Sequence, residues 1–502
     1  MNWFQVESLS KPAAELYREL RAEHIIWETT SAQDLDVLRR DVARIAGDMD
    51  DPGRPPAMFW SGIPWPAPGP EPSCDYNLIV SLGGSKTDFA LLRLERGQVI
   101  GLDVRSGEEV SDPEKIDQAK TATQMDTPVH GPATPTGQDM VAQIARHLAG
   151  HLGRHRRALE RCEAILLSWG FPHSVVRTGP RVAGGLSAIS TKMTKGQAKF
   201  TRDLLGKNIG ELFAGALEAQ LGWSRPIAVA NDTVMALHWF LAPARRAGHA
   251  RVGLFINGTG TNFSAAEAYA VRPEGFIARP GEEYAPERIT RKRPLRPGEH
   301  EEVFFVNYEA GSTDLVGTRT RFDTDPEYPI ERNALAGGNA FSQQLEALTT
   351  EFVSKQAYET LRANWRAIAK QPDAVPGGPT VSALIGGRRD AECLRGLEAG
   401  GEAAAKLRLI ARAILARSAI HMALVLAAVT YRTGFGKGKD GLPDLLGMEG
   451  SVWKSPSYPD MVRDYWQTLV GNEKLAVDFA HEPYYNASLP GPLYLAAIHK
   501  SA

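Results

Sequence analysis

The sequence predicts a mixed α/β protein of two sheet-based lobes with a cleft between them, on three observations. The apolar run Ile227-Ala228-Val229-Ala230 ends in Asn231-Asp232-Thr233. That pattern is a buried strand delivering a carboxylate at its C-terminal tip, where open α/β sheets place their ligands. A second β-like run, Val252 to Ile256, empties into Gly258-Thr259-Gly260-Thr261-Asn262. Such a turn lets backbone N–H groups and hydroxyls approach phosphate oxygens closely. The chain has 502 residues, more than one core usually organises, so two lobes are expected.

Taken in order, residues 11 to 46 have helical periodicity, with Leu16, Leu20, Ile25, Leu35, Leu38 and Ile45 among polar neighbours. A stretch from Pro52 to Pro72 holds eight prolines and reads as an extended connector, neither helix nor central strand. Leu78 to Leu82, a Gly83-Gly84-Ser85-Lys86 turn and Thr87 to Leu94 form a hairpin that sets Leu82 opposite Thr87 and Ser81 opposite Asp88. Helical pattern over 138–160 precedes strand-like Ala164 to Ser168, and a helix over 201–221 precedes the Ile227 strand. The Pro/Arg/Glu-rich region 272–302 reads as a surface insertion, its Arg291-Lys292-Arg293 cluster as a solvated loop, and His173 as a loop histidine. Strand-like Val303 to Asn307 leads to Glu309. Helices are expected over 331–370 and 402–431, the second apolar on nearly all sides and so expected to lie buried between the lobes. Gly434 to Lys439 lacks the Gly-Lys-Ser/Thr ending of a P-loop and reads as a flexible loop. No internal repeat of half the chain length is visible.

The bulk numbers exclude several classes. A net charge of −2 favours neither nucleic acid nor an acidic membrane as partner. Three widely spaced cysteines, Cys74, Cys162 and Cys393, argue against a disulfide framework or a cysteine zinc site and suit a reducing cytoplasm. Met1 to Leu20 lacks a signal-peptide apolar core, and no stretch approaches the ~18 uninterrupted apolar residues of a membrane-spanning helix.

A carboxylate placed beside a phosphate cradle implies phosphoryl transfer to a hydroxyl. A hydroxyl is a poor nucleophile at neutral pH, so a carboxylate must take its proton as it attacks the γ-phosphate, and Asp232 is the candidate.

In this order the motifs resemble those of the hexokinase family, the sugar kinases of the actin-like ATPase fold. The resemblance runs from about residue 78 to the C-terminus. Ser81-Leu82-Gly83-Gly84-Ser85 resembles the family's first phosphate loop, Trp169-Gly170-Phe171-Pro172 its Ser-Phe-Pro element, and Thr194-Lys195-Gly196 its sugar loop. Asn231-Asp232-Thr233-Val234 matches the catalytic strand end, and Gly258-Thr259-Gly260-Thr261-Asn262 the second phosphate loop. Asn307-Tyr308-Glu309-Ala310-Gly311 resembles Asn-Thr-Glu-Trp-Gly, and Glu331 stands where a second sugar-binding glutamate is expected. Gly447 to Lys454, with Ser451, resembles the adenosine segment, and Asn486 to Gly491, with Ser488, the last glycine loop.

The resemblance implies a two-lobed actin-like ATPase (ribonuclease H-like) fold of hexokinase type with an N-terminal helical extension. It implies an N-terminal segment and connector over 1–75, a small lobe of 76–230 plus 489–502, and a large lobe of 231–488. It further implies ATP and Mg2+ as cofactors and a hexose as substrate, its pocket formed by Thr194, Lys195, Asn231, Asp232, Asn262, Glu309 and Glu331 with Phe171 and Pro172, a set with the mixed donors and acceptors that a polyol requires. Gly83, Gly84, Ser85, Lys86, Gly258, Thr259, Gly260, Thr261, Ser451, Ser488 and Gly491 would face the nucleotide. The implied activity is transfer of the ATP γ-phosphate to a hexose 6-hydroxyl, with Asp232 as base and Lys195 beside it.

The pattern breaks at the first phosphate loop. The family's aspartate, which helps hold hydrated Mg2+, is here Ser81; its Asn position is Lys86 and its later Arg position is Asp88. Asp88, facing Ser81, can return a carboxylate to the vacated place and bind the metal through water. Glu449 and Pro490 also depart from the adenosine-side pattern. The alternative expectation is a catalytically impaired, hexokinase-like sugar-binding or sensor protein.

Overall fold

The structure, a computed structural model, describes residues 3–49, 59–64, 73–83, 86–121, 123–127, 136–170, 173–177, 186–190, 202–258, 260–271, 297–298, 300–308, 316–323, 337–386, 389–397, 401–471, 474–481 and 490–500. Its strands are β1 Phe59–Pro64, β2 Cys74–Leu82, β3 Lys86–Glu95, β4 Gln98–Leu102, β5 Glu109–Val110, β6 Met125–Asp126, β7 Ile165–Trp169 and β8 His173–Arg177. They continue with β9 Leu186–Ser190, β10 Ile227–Asn231, β11 Val252–Asn257, β12 Thr261–Val271, β13 His300–Asn307, β14 Asp444–Glu449 and β15 Val477–His481.

The first large sheet has the order β10-β7-β2-β3-β4-β5, with β6 also on β3. Strands β10, β7 and β2 are parallel, and every residue of β7 and β10 is buried, as parallel strands covered on both faces must be. Along β2 the period of two splits the faces. Leu78, Val80 and Leu82 pack with Met140, Ile144 and Leu148 of the Gly137–Leu152 helix and Phe213 and Leu217 of the Ile209–Leu221 helix. Ile79 packs on the opposite face with Leu493, Tyr494 and Ala497 of the C-terminal helix Gly491–Lys500.

The second large sheet has the order β1-β13-β12-β11-β14-β15. Set beside the first, it repeats the same plan: an antiparallel hairpin, β11–β12, whose first strand runs parallel to two later strands. The repeat is one of topology, invisible in the residues because each copy needs only apolar alternation and a glycine turn. A separate β8–β9 hairpin begins at His173, so that residue is a strand residue, not a loop one.

The helix Asp232–Arg246 joins the two sheets. It leaves the end of β10 and lays Val234, Met235, Leu237, Phe240 and Leu241 on Val252, Leu254, Phe305 and Leu445 of the second sheet. Trp239 on the same helix meets Tyr494 of the C-terminal helix edge-on at 5.5 Å. Gly491 is required there: a Cβ on it would sit 2.1 Å from the Met235 carbonyl oxygen.

The long helix Glu402–Thr433 is buried, but inside the large lobe and not between the lobes. Its neighbours are the helices Lys11–Ala22, Ala32–Asp48, Gly338–Phe352, Gly378–Leu384 and Tyr458–Leu469. A helix apolar all round needs cover all round, and the N-terminal helix pair supplies the side that the sequence reading assigned to the other lobe. By length and composition this helix could cross a membrane, yet its most apolar 18 residues are all buried within the protein, and it carries Arg417, buried and ion-paired with Asp323. The long helical patterns divide where caps allow: 138–160 splits at Gly153, and 331–370 splits at Val353-Ser354, where Ser354 caps the Lys355–Ala369 helix.

Two further expectations change. Within the proline-rich connector, Phe59–Pro64 forms an edge strand on β13, a position where proline is tolerated. The Gly434–Lys439 segment is tied down, because Arg251 donates to the carbonyls of Thr433, Gly434 and Gly438 while Asp444 accepts from the Gly436 and Gly438 N–H groups. The Arg291 cluster lies outside the described residues.

Candidate active site

Three parallel strands end in one row. Leu82 of β2 pairs with Trp169 of β7, and Trp169 with Asn231 of β10. Register therefore delivers Gly83, Gly170 and Asp232 to the same edge of the sheet.

Asp232 is the first residue of its helix, where the dipole favours an anion. Its Oδ1 accepts from the Thr233 N–H at 2.8 Å and the Thr233 hydroxyl at 3.2 Å. Its Oδ2 turns toward Gly170, lying 3.3 Å from where a Cβ on that glycine would stand. A side chain at position 170 would press on the carboxylate. The Asn231 Oδ1 accepts from the Thr233 N–H at 2.9 Å, which fixes its amide plane.

The second sheet brings its own loop to this edge. In the β11–β12 hairpin, Asn257 pairs with Thr261 and Ile256 with Asn262, while the Gly258 N–H donates to the Gly260 carbonyl at 3.0 Å. Asn262 donates its side-chain amide to Asn231 at 3.4 Å. Behind the loop, Asn257 is held by the Tyr458 hydroxyl at 2.7 Å, itself bonded to the buried Ser418 hydroxyl. Strand β14 runs parallel to β11, pairing Glu449 with Ile256, and Gly450 follows at φ 103°. A Cβ on Gly450 would fall 2.2 Å from the Asn257 carbonyl oxygen and 2.8 Å from the Gly258 nitrogen. The end of β14 and the start of the β11–β12 turn are thus packed backbone to backbone, with exposed Ser451 opening the short turn Ser451–Lys454. At the neighbouring end of β15, burial and then the Lys454 ammonium hold the His481 imidazole below its ordinary pKa.

In the first hairpin, Ser81 pairs with Asp88 and Leu82 with Thr87, the register read from the sequence. Ser81 and Asp88 are both buried, and the Gly83 N–H donates to the Lys86 carbonyl at 3.0 Å. The Lys86 ammonium pairs with Asp126 on β6. Asp126 and its neighbour Gln124 had no signal in the sequence, since a two-residue strand is too short to show a period.

The structure brings together Asp232, Asn231, Asn262, Thr261, Gly258 and Gly260 on one side and Gly83, Lys86 and Asp88 on the other. Gly491 lies against the helix that starts at Asp232. Phe171, Pro172, Thr194, Lys195, Glu309, Glu331, Gly84, Ser85, Thr259 and Ser488 lie outside the described residues. Among the described residues no group of three His, Cys, Asp or Glu side chains is arranged to hold a metal directly. The three cysteines are buried and unbridged.

No protein-family model matches the sequence, and no curated protein matches it. Solved structures do. A hexokinase from Schistosoma mansoni complexed with glucose superposes at TM-score 0.61 with 16% identity, over 97% of this chain and 99% of that one. A second hexokinase crystal structure superposes at TM-score 0.62 with 19% identity, over 98% of this chain and 99% of that one. At that identity the likeness carries the fold, and it does so along nearly the whole length: the chain has the hexokinase-type, two-lobed actin-like ATPase fold.

Proposed function

We infer that this protein is an ATP-dependent sugar kinase that transfers the γ-phosphate of ATP to the 6-hydroxyl of a hexose such as glucose. The observation that supports it most is the strand end Asn231-Asp232, aligned by register with the first hairpin loop and bridged by Asn262 to the second. The hexose lies between the lobes, with Asn231 and Asn262 fixing hydroxyls on its acceptor side. Asp232 Oδ2 takes the 6-hydroxyl proton as that oxygen attacks the γ-phosphorus, the bond to the β-γ bridging oxygen breaks, and ADP leaves. As the motif order implies, the turn that begins at Gly258 and ends at Thr261 faces the phosphates, and Gly450-Ser451 borders the adenosine. Lys195, Thr194, Glu309, Glu331, Phe171 and Pro172 complete the sugar side, as the motif order implies. Closure of the lobes on sugar excludes water that would otherwise hydrolyse ATP.

Mg2+ fits this site through water, with the buried Asp88 carboxylate and Ser81 hydroxyl facing one another as its holders. When bound it neutralises phosphate charge and orients the γ-phosphoryl group. A coupled assay with ATP, Mg2+ and glucose, mannose or fructose tests the reading: hexose-dependent ADP release is expected.

The second reading is a sugar-binding or sensor protein that retains closure without transfer. It is favoured by Ser81 in place of a carboxylate and by Lys86 held on Asp126. Sugar-dependent tightening with no ADP release would establish it.

A further inference from the structure

Residues Gln124 to Thr127 grip the first hairpin at four points. Thr127 donates its hydroxyl to the Gly83 carbonyl at 2.9 Å and shares a hydrogen bond with the Thr87 hydroxyl at 3.0 Å. Asp126 holds the Lys86 ammonium, and the Gln124 side chain donates to Asp88 Oδ1. The pairing of Lys86 with Asp126 and of Thr87 with Met125, carried one residue on, sets Gln124 directly opposite Asp88. Ser81 pairs with both Asp88 and Ser168, so a polar row Ser168–Ser81–Asp88 crosses three strands on one face of the sheet and ends at Gln124, the residue before β6. That face is the one the C-terminal helix covers. The Ser168 hydroxyl in this row is fully buried and makes no hydrogen bond among the described residues.

We propose that Gln124 is a positioning residue that presents the Asp88 carboxylate to the hydrated divalent cation of the bound nucleotide. The inference rests on the kinase reading for its ligand. An ionised carboxylate only accepts, so the amide must turn its NH2 toward Oδ1, and this fixes the plane of the carboxylate. A neutral donor does so without cancelling the charge that attracts a cation. Lys86 stands two residues from Asp88 on the same face of β3 and would cancel it, but its ammonium is held by Asp126. The strap therefore replaces, from the segment that leads into β6, the orientation that a carboxylate at position 81 would have within its own strand.

The test measures binding of Mn2+·ADP and of metal-free ADP to the full chain by calorimetry and Mn2+ electron paramagnetic resonance. Gln124→Leu is expected to weaken Mn2+·ADP about tenfold, the scale of one lost hydrogen bond to a charged group. Metal-free ADP and glucose affinity should stay unchanged. In an Asp88→Asn background, Gln124→Leu should cost nothing further, whereas a merely structural role would cost the same in both. Unchanged Mn2+·ADP affinity, an equal loss for metal-free ADP, or an additive loss in the Asp88→Asn background overturns the proposal. If these binding results hold but wild-type protein phosphorylates no hexose, the kinase reading fails and the Gln124 role stands. If wild-type protein turns over hexose while Gln124→Leu leaves metal binding unchanged, the reverse is true.

Discussion

Asn262, on the hairpin of the second sheet, donates its amide to Asn231 at the end of the first sheet, 3.4 Å away, with both residues buried. This bond couples the strand carrying the proposed base to the loop proposed to face the nucleotide. Removing one partner of a buried pair costs about 1–3 kcal/mol. Asn262→Ala is therefore expected to lower kcat/KM for glucose by about tenfold or more while the protein still melts cooperatively. Steady-state assays with thermal unfolding check this.

Asp232→Asn keeps an oxygen to accept from Thr233 and removes the basic oxygen beside Gly170. General-base catalysis is worth about 10²–10⁴ in rate. The expected outcome is a kcat loss of that size with glucose affinity within a few-fold of wild type, measured by calorimetry. A full loss of sugar binding would mean that Asp232 holds structure and not chemistry.

Asp88→Asn keeps the shape and removes the charge. By comparison with losing one preorganised transition-state contact, the rate should fall on the order of 10²-fold, and more Mg2+ should be needed for half-maximal activity. Unchanged rate and unchanged Mg2+ dependence would remove Asp88 from the site.

Gly450→Ala forces a side chain into a backbone region that is essentially glycine-only, at φ 103° and ψ 159°. That strain alone costs about 1–3 kcal/mol, and the new Cβ also meets the Asn257 carbonyl. Because Asn257 and Gly258 must move, ADP affinity should fall more than glucose affinity. Parallel titrations of the two ligands decide it.

His151 offers a pH test away from the site. Burial, then His147 with its ring 4.8 Å away, then Arg154, depress the His151 pKa below its ordinary 6.5. The folded state thus binds fewer protons than the unfolded chain just below pH 6.5. The stability this residue confers is complete above that pH and is lost as pH falls toward the folded pKa. His151→Gln should flatten the decline of Tm as pH falls below about 6.5. A slope identical to wild type would refute it.

Much of the site was legible because its chemistry is local. The opposition of Ser81 and Asp88 follows from counting residues across a glycine turn, and the structure has that register. The placement of Asp232 at a strand end follows from an apolar run that stops at a carboxylate. Gln124 and Asp126 were not legible, because Asp126 reaches the hairpin from a strand of two residues and Gln124 from the residue before it. The long helix Glu402–Thr433 was read as buried from its composition, but composition does not say what covers a helix. Its cover comes in part from residues 11–48, at the opposite end of the sequence.

Pattern along the chain was thus enough for the two-lobed α/β class, the register of the first hairpin and the acidic strand tip, since each depends on residues a few positions apart. Which strands lie side by side, the shared plan of the two sheets, the Asn231–Asn262 bridge and the packing of Gly450 on the second loop depended on the folded chain. Those contacts join segments far apart in sequence, and no local preference encodes a partner that only burial of both surfaces brings near.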